Sequence, residues 1–152
     1  MKQRIYADTS VLGGCFDDEF DKHSLQLIGQ FKKGEKILVA SDLMLRELQD
    51  APPAVDDLFN SIPVEFVEFV MLDQEAKFLA RKYIEEQTIS EKFLVDAQHI
   101  ALASINRVDV LVSWNFKHIV NLRRIHLYNA TNLKYDYPLI EIRSPREVID
   151  EE

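Results

Sequence analysis

The alternation of apolar and polar positions along the chain predicts five short buried strands separated by amphipathic helices. Short apolar runs bounded by turn residues indicate the strands, which are predicted at residues 4–7, 37–40, 64–69, 108–113 and 139–142. Strands that alternate with helices favour an α/β domain, because a helix is the usual connection between parallel neighbours. The pattern therefore predicts a mostly parallel β-sheet with helices packed against it.

The helices are predicted where apolar residues recur at intervals of three and four. Their ranges are 25–33, 42–50, 73–86 and 91–106, with a further helix start or turn at 55–60. Gly34 marks the end of the first helix. Ser41 is placed to cap the second helix, and Pro52 and Pro53 are expected to end it.

The composition is that of one folded domain. The chain has 152 residues, of which 47% are hydrophobic, so we expect a single α/β domain over residues 1–152. The lone Cys15 cannot form an internal disulfide, which fits a reducing compartment. Neither a leader peptide nor a membrane-spanning stretch is recognisable. The protein is therefore expected to be cytoplasmic.

Charge is distributed unevenly along the chain. The formal net charge of -8 argues against a general nucleic-acid coat protein, which is usually basic. Between Asp109 and Asp136, however, there is no acid, and the basic residues and histidines of this interval are Lys117, His118, Arg123, Arg124, His126 and Lys134. Two interpretations fit the interval: an ordinary solvated surface, or a face that contacts phosphate groups.

Three acids are predicted to converge at one edge of the sheet. Asp8 follows the first strand directly, and Asp96 lies near the start of the helix that leads back to the strand at 108–113. Glu47 lies six residues past Ser41 in the helix after the second strand, which keeps it on the same side of the sheet. Ligands of open parallel sheets bind beyond the carboxyl ends of the strands, so this edge is a candidate site.

Each acid also has a structural interpretation when it is considered alone. Asp8 suits an Asx turn or a helix cap. Glu47 suits a surface ion pair with Arg46 or Arg4, and Asp96 suits the favourable field at a helix N-terminus. Together, however, three carboxylates repel one another unless a cation compensates. Hard oxygen ligands favour Mg²⁺ or Mn²⁺, whereas a single cysteine and unpaired histidines argue against zinc.

Four segments carry a recognisable family pattern: YADTSVLGG at 6–14, SDLMLREL at 41–48, DAQHIALA at 96–103 and DVLVSWNFKHI at 109–119. In these segments the chain resembles the PIN-domain family, and within it the VapC-like toxin ribonucleases of bacterial toxin–antitoxin pairs. The resemblance covers nearly the whole chain. It implies a PIN-like three-layer α/β fold, metal-dependent hydrolysis of RNA phosphodiester bonds, a small antitoxin that masks the site, and a homodimer.

The same resemblance implies roles for individual residues. Asp8, Glu47 and Asp96 match the metal-binding acids of the family, and Asn115 stands where many members have an aspartate. An amide oxygen can bind a hard cation but brings no charge. Asp109 cannot replace it, because it lies about 20 Å away along the strand, at the wrong edge of the sheet. The resemblance therefore assigns Asp8, Glu47, Asp96 and Asn115 to catalysis and to Mg²⁺ or Mn²⁺ binding.

Residues around the acids are expected to support them. Thr9 and Ser113 are predicted to hold the carboxylates from behind. The predicted contacts to RNA phosphates come from Lys117, His118, Arg123 and Arg124. For His118, packing or capping is an equally good interpretation.

Two functions remain open on this basis. One is an active endoribonuclease, favoured by the three retained acids. The other is a catalytically weakened PIN-like domain that binds RNA or a protein, favoured by Asn115. An aspartyl phosphatase, which also carries an acid after its first strand, needs a second aspartate two residues later, where this chain has Ser10.

Overall fold

The computed structural model describes residues 1–149 of the chain. Its strands are β1 (Arg4–Ala7), β2 (Ile37–Ser41), β3 (Val67–Val70), β4 (Val110–Val112) and β5 (Ile142–Arg143). Its helices are α1 (Thr9–Gly14), α2 (Asp21–Lys32), α3 (Asp42–Gln49), α4 (Pro53–Asn60), α5 (Gln74–Glu85), α6 (Leu94–Ile105), α7 (Leu122–Lys134) and α8 (Pro145–Val148). Single 3₁₀ turns precede β3 and α6. No helix in residues 1–149 is long and apolar enough to cross a lipid bilayer.

All strand pairs are parallel, and the strand order is β3-β2-β1-β4-β5. The chain adds β2 and β3 on one side of β1 and then returns to add β4 and β5 on the other side. The strand order therefore reverses between β1 and β4, which is where ligands bind in open parallel sheets. The last paired residues of these two strands are Ala7 and Val112. Asp8 and Ser113 follow them and lie side by side at the carboxyl edge.

The sheet separates two apolar layers, because successive strand residues point to opposite faces. In β1, Ile5 and Ala7 pack on the face covered by α1, α2 and α4, while Tyr6 packs on the face covered by α5, α6 and α7. Helix α3 contributes to both layers through Leu43 on one side and Met44 on the other. The predicted three-layer α/β fold is confirmed.

Most predicted elements are confirmed with shifted boundaries, but the strand predicted at 139–142 shares only Ile142 with β5, and residues 64–66 of the strand predicted at 64–69 form a 3₁₀ turn. Ser41 caps α3 as predicted, with its hydroxyl oxygen accepting from the Met44 amide at 3.1 Å. Helix α2 begins at Asp21, four residues before the predicted start, through a polar first turn. Helix α3 ends ahead of both prolines, and Pro53 instead begins α4. A proline suits that position because the first turn of a helix needs no amide donor.

Helix α7 lies in the basic interval, where the apolar pattern predicts no element. Two of its three buried residues, Thr131 and Asn132, are polar, so its apolar periodicity is weak. Asn132 is satisfied within the core, where it donates to the Ser104 hydroxyl at 2.9 Å and accepts from Tyr83. Asn121 caps the helix by accepting from the Arg124 amide at 3.1 Å.

Candidate active site

Asp8 lies at the centre of the carboxyl edge, between the ends of β1 and β4. Its carboxylate accepts hydrogen bonds from the hydroxyls of Ser10 at 2.5 Å and Ser113 at 2.7 Å. Although Asp8 occupies the N-cap position of α1, its side chain makes no capping bond. The helix-cap interpretation of this residue is therefore wrong.

The surroundings of Asp8 disfavour its ionised form. Burial raises the pKa of Asp8. The charge of His99 and the bonds from Ser10 and Ser113 oppose that effect without cancelling it, and the nearby charge of Glu47 adds to it. A nearby cation would favour the ionised carboxylate.

The two serines also tie the loop after β4 to the loop after β1. The Trp114 amide donates to Ser10 Oγ at 3.0 Å, and the Asn115 amide donates to Ser113 Oγ at 2.9 Å. Each hydroxyl thus accepts from the backbone and donates to Asp8. The position of the central carboxylate is set by residues about 100 positions apart in sequence.

Glu47 projects from the last turn of α3 toward the same edge. Its Oε1 atom accepts from Thr9 Oγ1 at 2.8 Å and from His99 Nε2 at 2.7 Å. Burial acts to raise the pKa of Glu47, but the hydrogen bond and charge of His99 and the bond from Thr9 outweigh it, so the pKa is lowered. The predicted alternative of an ion pair with Arg4 is wrong, because Arg4 pairs with Glu68.

Asp96 lies in the first turn of α6 and is the third acid of the group. Burial raises the pKa of Asp96, and the charge of Glu47 raises it further, against the charge of His99 and a hydrogen bond from Asn115. That bond joins Asn115 Nδ2 to Asp96 Oδ2 at 3.3 Å. The field of Glu47 therefore reaches both aspartates.

Asn115 presents its amino group rather than its oxygen to the acids. Its Oδ1 atom accepts from the backbone amides of Lys117 at 3.2 Å and His118 at 2.9 Å, which closes the turn after β4. Its Nδ2 atom faces Asp96. In this arrangement Asn115 stabilises the ionised Asp96 carboxylate by a hydrogen bond, while its own oxygen is engaged in the turn.

The predicted phosphate-contacting residues fall into two groups. Lys117 and Arg123 are exposed, and Arg124 is half-buried, with its guanidinium donating to the Thr88 carbonyl at 3.2 Å. His118 is buried instead, and its ring lies 3.8 Å from that of Phe93. Burial lowers the pKa of His118, and the charges of Arg124 and Lys117 lower it further.

His99 is a site residue that sequence reasoning missed. It is 1% exposed, yet both its ring nitrogens are hydrogen-bonded, Nε2 to Glu47 and Nδ1 to the Tyr6 hydroxyl at 2.6 Å. The available signal was its spacing, since His99 follows Asp96 by three residues and so shares its helical face. A histidine in an otherwise apolar stretch, one turn from a candidate acid, indicates a partner of that site.

Carboxylate oxygens are suitable ligands for a hard cation. In this structure, however, they accept hydrogen bonds from protein side chains. Within residues 1–149, no three His, Cys, Asp or Glu side chains form a cluster arranged to hold a metal ion. The carboxylates of Asp8 and Glu47 are instead directed by hydroxyl and imidazole donors. The charge of Glu47 acts on both aspartates, and repulsion of this kind is relieved by a divalent cation.

Comparison with known proteins identifies the fold. No protein-family model and no curated protein matches the chain. Among solved structures, VapBC2 from Rickettsia felis bound to a DNA fragment from its promoter aligns with a TM-score of 0.58 and 13% identity, over 93% of this chain and 98% of that one. VapC20 of Mycobacterium tuberculosis, a sarcin-ricin loop cleaving toxin, aligns with a TM-score of 0.56 and 13% identity, over 75% and 92%.

A third solved structure gives the same result. FitAcB from Neisseria gonorrhoeae aligns with a TM-score of 0.57 and 11% identity, over 95% of this chain and 99% of that one. These alignments span nearly the full length of the matched chains. The protein therefore has the PIN-like α/β fold that its sequence resemblance implies.

Proposed function

We propose that this protein, which shares its fold with the VapBC2, VapC20 and FitAcB structures, is a metal-dependent endoribonuclease and the toxin of a toxin–antitoxin pair. The observation that carries the proposal is that Asp8, Glu47 and Asp96, from three separate elements, lie along the carboxyl edge where the strand order reverses, near enough for the charge of Glu47 to act on both aspartates. Carboxylates whose pKa values are perturbed by burial and by one another are typical of functional sites. The raised pKa values of Asp8 and Asp96 mean that their ionised forms cost stability in the folded protein.

The proposed cofactor is Mg²⁺ or Mn²⁺, held by Asp8, Glu47 and Asp96, with Asn115 beside them. Such an ion lowers the pKa of a bound water and neutralises charge on a phosphate, which is the chemistry that phosphodiester hydrolysis requires. Asp8 is proposed as the central ligand because it lies between the ends of β1 and β4, where Ser10 bonds to its Oδ1 atom and Ser113 to its Oδ2 atom.

RNA is the proposed substrate. Its phosphates need contacts with basic side chains, and an acidic protein has few surfaces where basic side chains predominate. Lys117 and Arg123 are exposed in the basic interval that includes Asn115, and this exposure supports contacts to the RNA backbone. His118 supports the loop by packing on Phe93 and is better suited to positioning than to phosphate contact.

A small antitoxin, a homodimer and a cytoplasmic location complete the proposal. The solved VapBC2 and FitAcB structures support the antitoxin partner. Exposed apolar residues such as Phe78, Leu133 and Leu139 are available for contacts between chains. Burial of exposed apolar surface is the main favourable contribution to association.

The test of the proposal is cleavage of a mixed RNA pool with Mn²⁺ or Mg²⁺. We expect the wild-type protein to cleave and EDTA to stop it. Asp96→Asn should lower the rate at least about 100-fold, because loss of a ligand should exceed the 10–100-fold effect typical of outer-shell partners. Gel electrophoresis of end-labelled products measures the rates.

Asp109→Asn is the matched control for this experiment. Asp109 is also an acid beside β4, but it lies at the opposite end of the strand, where it accepts from the Arg4 amide at 2.7 Å. The control should retain wild-type cleavage. Equal traces of activity in all three proteins would reveal a contaminating nuclease and defeat the proposal.

A second candidate function is an RNA- or protein-binding module with weakened metal binding. Asn115 is the observation that favours it, because its oxygen is engaged in the turn and its amino group faces Asp96. Where many members of the PIN-domain family have a fourth charged residue, an aspartate, this protein therefore has a neutral hydrogen-bond donor.

Asn115→Asp separates the two candidates. The new carboxylate can still accept from the amides of Lys117 and His118, but it replaces the Asp96 hydrogen bond by repulsion. We expect Mn²⁺ affinity to rise about tenfold, the equivalent of ~1.4 kcal/mol, with a lower melting temperature of the metal-free protein. Calorimetric titration and thermal melts measure both, and unchanged Mn²⁺ affinity would show that charge at position 115 does not limit binding.

A further inference from the structure

A buried series of hydrogen bonds leads from the start of α3 to the carboxyl edge of the sheet. Ser41 Oγ, which caps α3, lies 2.8 Å from the Tyr6 hydroxyl. Tyr6 lies 2.6 Å from His99 Nδ1, and His99 Nε2 lies 2.7 Å from Glu47 Oε1. This series of hydrogen bonds begins at the N-cap of α3 and ends at Glu47 in the same helix, and it passes through β1 and α6 on the way.

The directions of these bonds follow from the groups at the two ends. The Met44 amide can only donate, so Ser41 Oγ accepts from it. The Glu47 carboxylate accepts from His99 Nε2. When the His99 ring carries one proton, on Nε2, Ser41 donates to Tyr6 and Tyr6 donates to His99 Nδ1, so that every hydroxyl, amide and ring N–H of the series has an acceptor. When the ring also carries a proton on Nδ1, the form whose charge favours the ionised acids, Nδ1 donates to Tyr6 and Tyr6 donates to Ser41, so the same groups stay connected in either form.

Burial makes this series of hydrogen bonds rigid. Tyr6 and Ser41 are completely buried and His99 is 1% exposed, so water cannot substitute for a lost partner. Polar networks that are fully satisfied in the core fix the positions of their members. By contrast, the Glu47 side chain is about one-third exposed at the edge, and a free glutamate there would sample several rotamers.

Glu47 receives a second donor from the site itself. Thr9, next to Asp8, donates to the same Oε1 atom at 2.8 Å. Both donors bind Oε1, and no hydrogen bond from residues 1–149 engages Oε2, so the carboxylate is fixed with Oε2 directed away from these two donors. The bond from Thr9 connects Glu47 to the residue that follows Asp8. The bond from His99 connects Glu47 to α6, one helical turn from Asp96.

We propose that Tyr6 and His99 are positioning residues that hold Glu47 in the orientation needed for a divalent cation. This inference rests on the proposed function, because it assumes that Glu47 is a ligand. His99 fixes the carboxylate directly, and Tyr6 fixes the imidazole tautomer and ring orientation. Outer-shell partners of metal ligands act in this way.

The test is Mn²⁺ affinity, measured by electron paramagnetic resonance of free Mn²⁺, so that it does not depend on cleavage. His99→Leu should weaken binding about 10–100-fold, the range for loss of an outer-shell partner. Tyr6→Phe keeps the ring and should weaken binding less. His99→Gln restores a donor to Glu47 and should recover part of the affinity.

Tyr83→Phe is the matched control. Tyr83 is also completely buried, and its hydroxyl bonds to Asn132 and Ser104, away from the acids. It should lower the melting temperature as Tyr6→Phe does, while leaving Mn²⁺ affinity unchanged. Equal affinity losses in the two variants would mean that general loosening of the core weakens binding, and the inference would be overturned.

A double-mutant cycle tests whether His99 acts through Glu47. In a Glu47→Ala background there is no carboxylate to position, so adding His99→Leu should weaken Mn²⁺ binding no further. A full additional loss would overturn the inference while leaving the proposed function intact. If the wild-type protein binds no Mn²⁺, both fail, and if wild type and His99→Leu bind equally, only this inference fails.

Discussion

Replacing Asp8 with asparagine is expected to abolish RNA cleavage and, at the same time, to stabilise the metal-free protein. The central carboxylate is buried between Ser10 and Ser113, and loss of a preorganised charged group there should lower the rate roughly 1,000-fold. The stabilisation arises because the charged form is disfavoured by burial and by Glu47. We expect a gain of about 0.5–2 kcal/mol, the range common for single stabilising substitutions.

The pH dependence of this gain identifies its cause. Burial raises the pKa of Asp8 in the folded protein, so the folded state binds more protons than the unfolded state between the two pKa values. The stability contributed by Asp8 is therefore present at low pH and lost as the pH rises. The difference between Asp8→Asn and wild type should be greatest near neutral pH and vanish below pH ~4, where the unfolded carboxyl is also protonated.

Urea denaturation of both proteins in EDTA, at several pH values, measures this difference. Asp109→Asn serves as control because Asp109 lies at the opposite end of β4 and is exposed, so its variant should not gain stability as the pH rises. A destabilised Asp8→Asn protein at neutral pH would show that Ser10 and Ser113 need a charge between them. Asp8 would then be a structural residue.

The sequence was sufficient to predict the layers of the fold because the strands are short apolar runs that must be buried on both faces. It was less informative where polar side chains form the buried surface. Helix α7 buries Thr131 and Asn132, and Asn132 bonds to Tyr83 of α5 and Ser104 of α6. Those partners exist only in the folded chain, so a pattern based on apolar periodicity cannot identify such a helix.

The same distinction applies to the site. Asp8, Glu47 and Asp96 were placed at one edge because strand direction alone determines which residues follow the carboxyl ends. The role of His99 depends on the rotation of α6 about its axis, which brings the ring to Glu47 and to Tyr6. The orientation of Asn115 depends on a local turn that uses its oxygen. Both are set by packing and by local hydrogen bonds rather than by strand order.

Binding of Mn²⁺ is expected to raise the free energy of unfolding and so offset the destabilisation caused by the ionised acids. An ion that binds only the folded state adds about 2.7 kcal/mol to the free energy of unfolding at 100 times its Kd. For a chain of this length that corresponds to a melting temperature higher by roughly 5–10 °C. The ion should stabilise most at neutral pH, because binding requires ionised carboxylates and burial raises the pKa of both Asp8 and Asp96.

The two effects of pH therefore have opposite signs. As pH rises, Asp8 and Asp96 lower the stability of the metal-free protein, whereas the stabilisation by Mn²⁺ grows. Melts at constant ionic strength are required, since a net charge of -8 attracts cations without specificity. Asp8→Asn should lose the Mn²⁺ response and Asp109→Asn should keep it. An equal response in both variants would mean that the ion binds the general acidic surface, and the three acids would then have no cation to share.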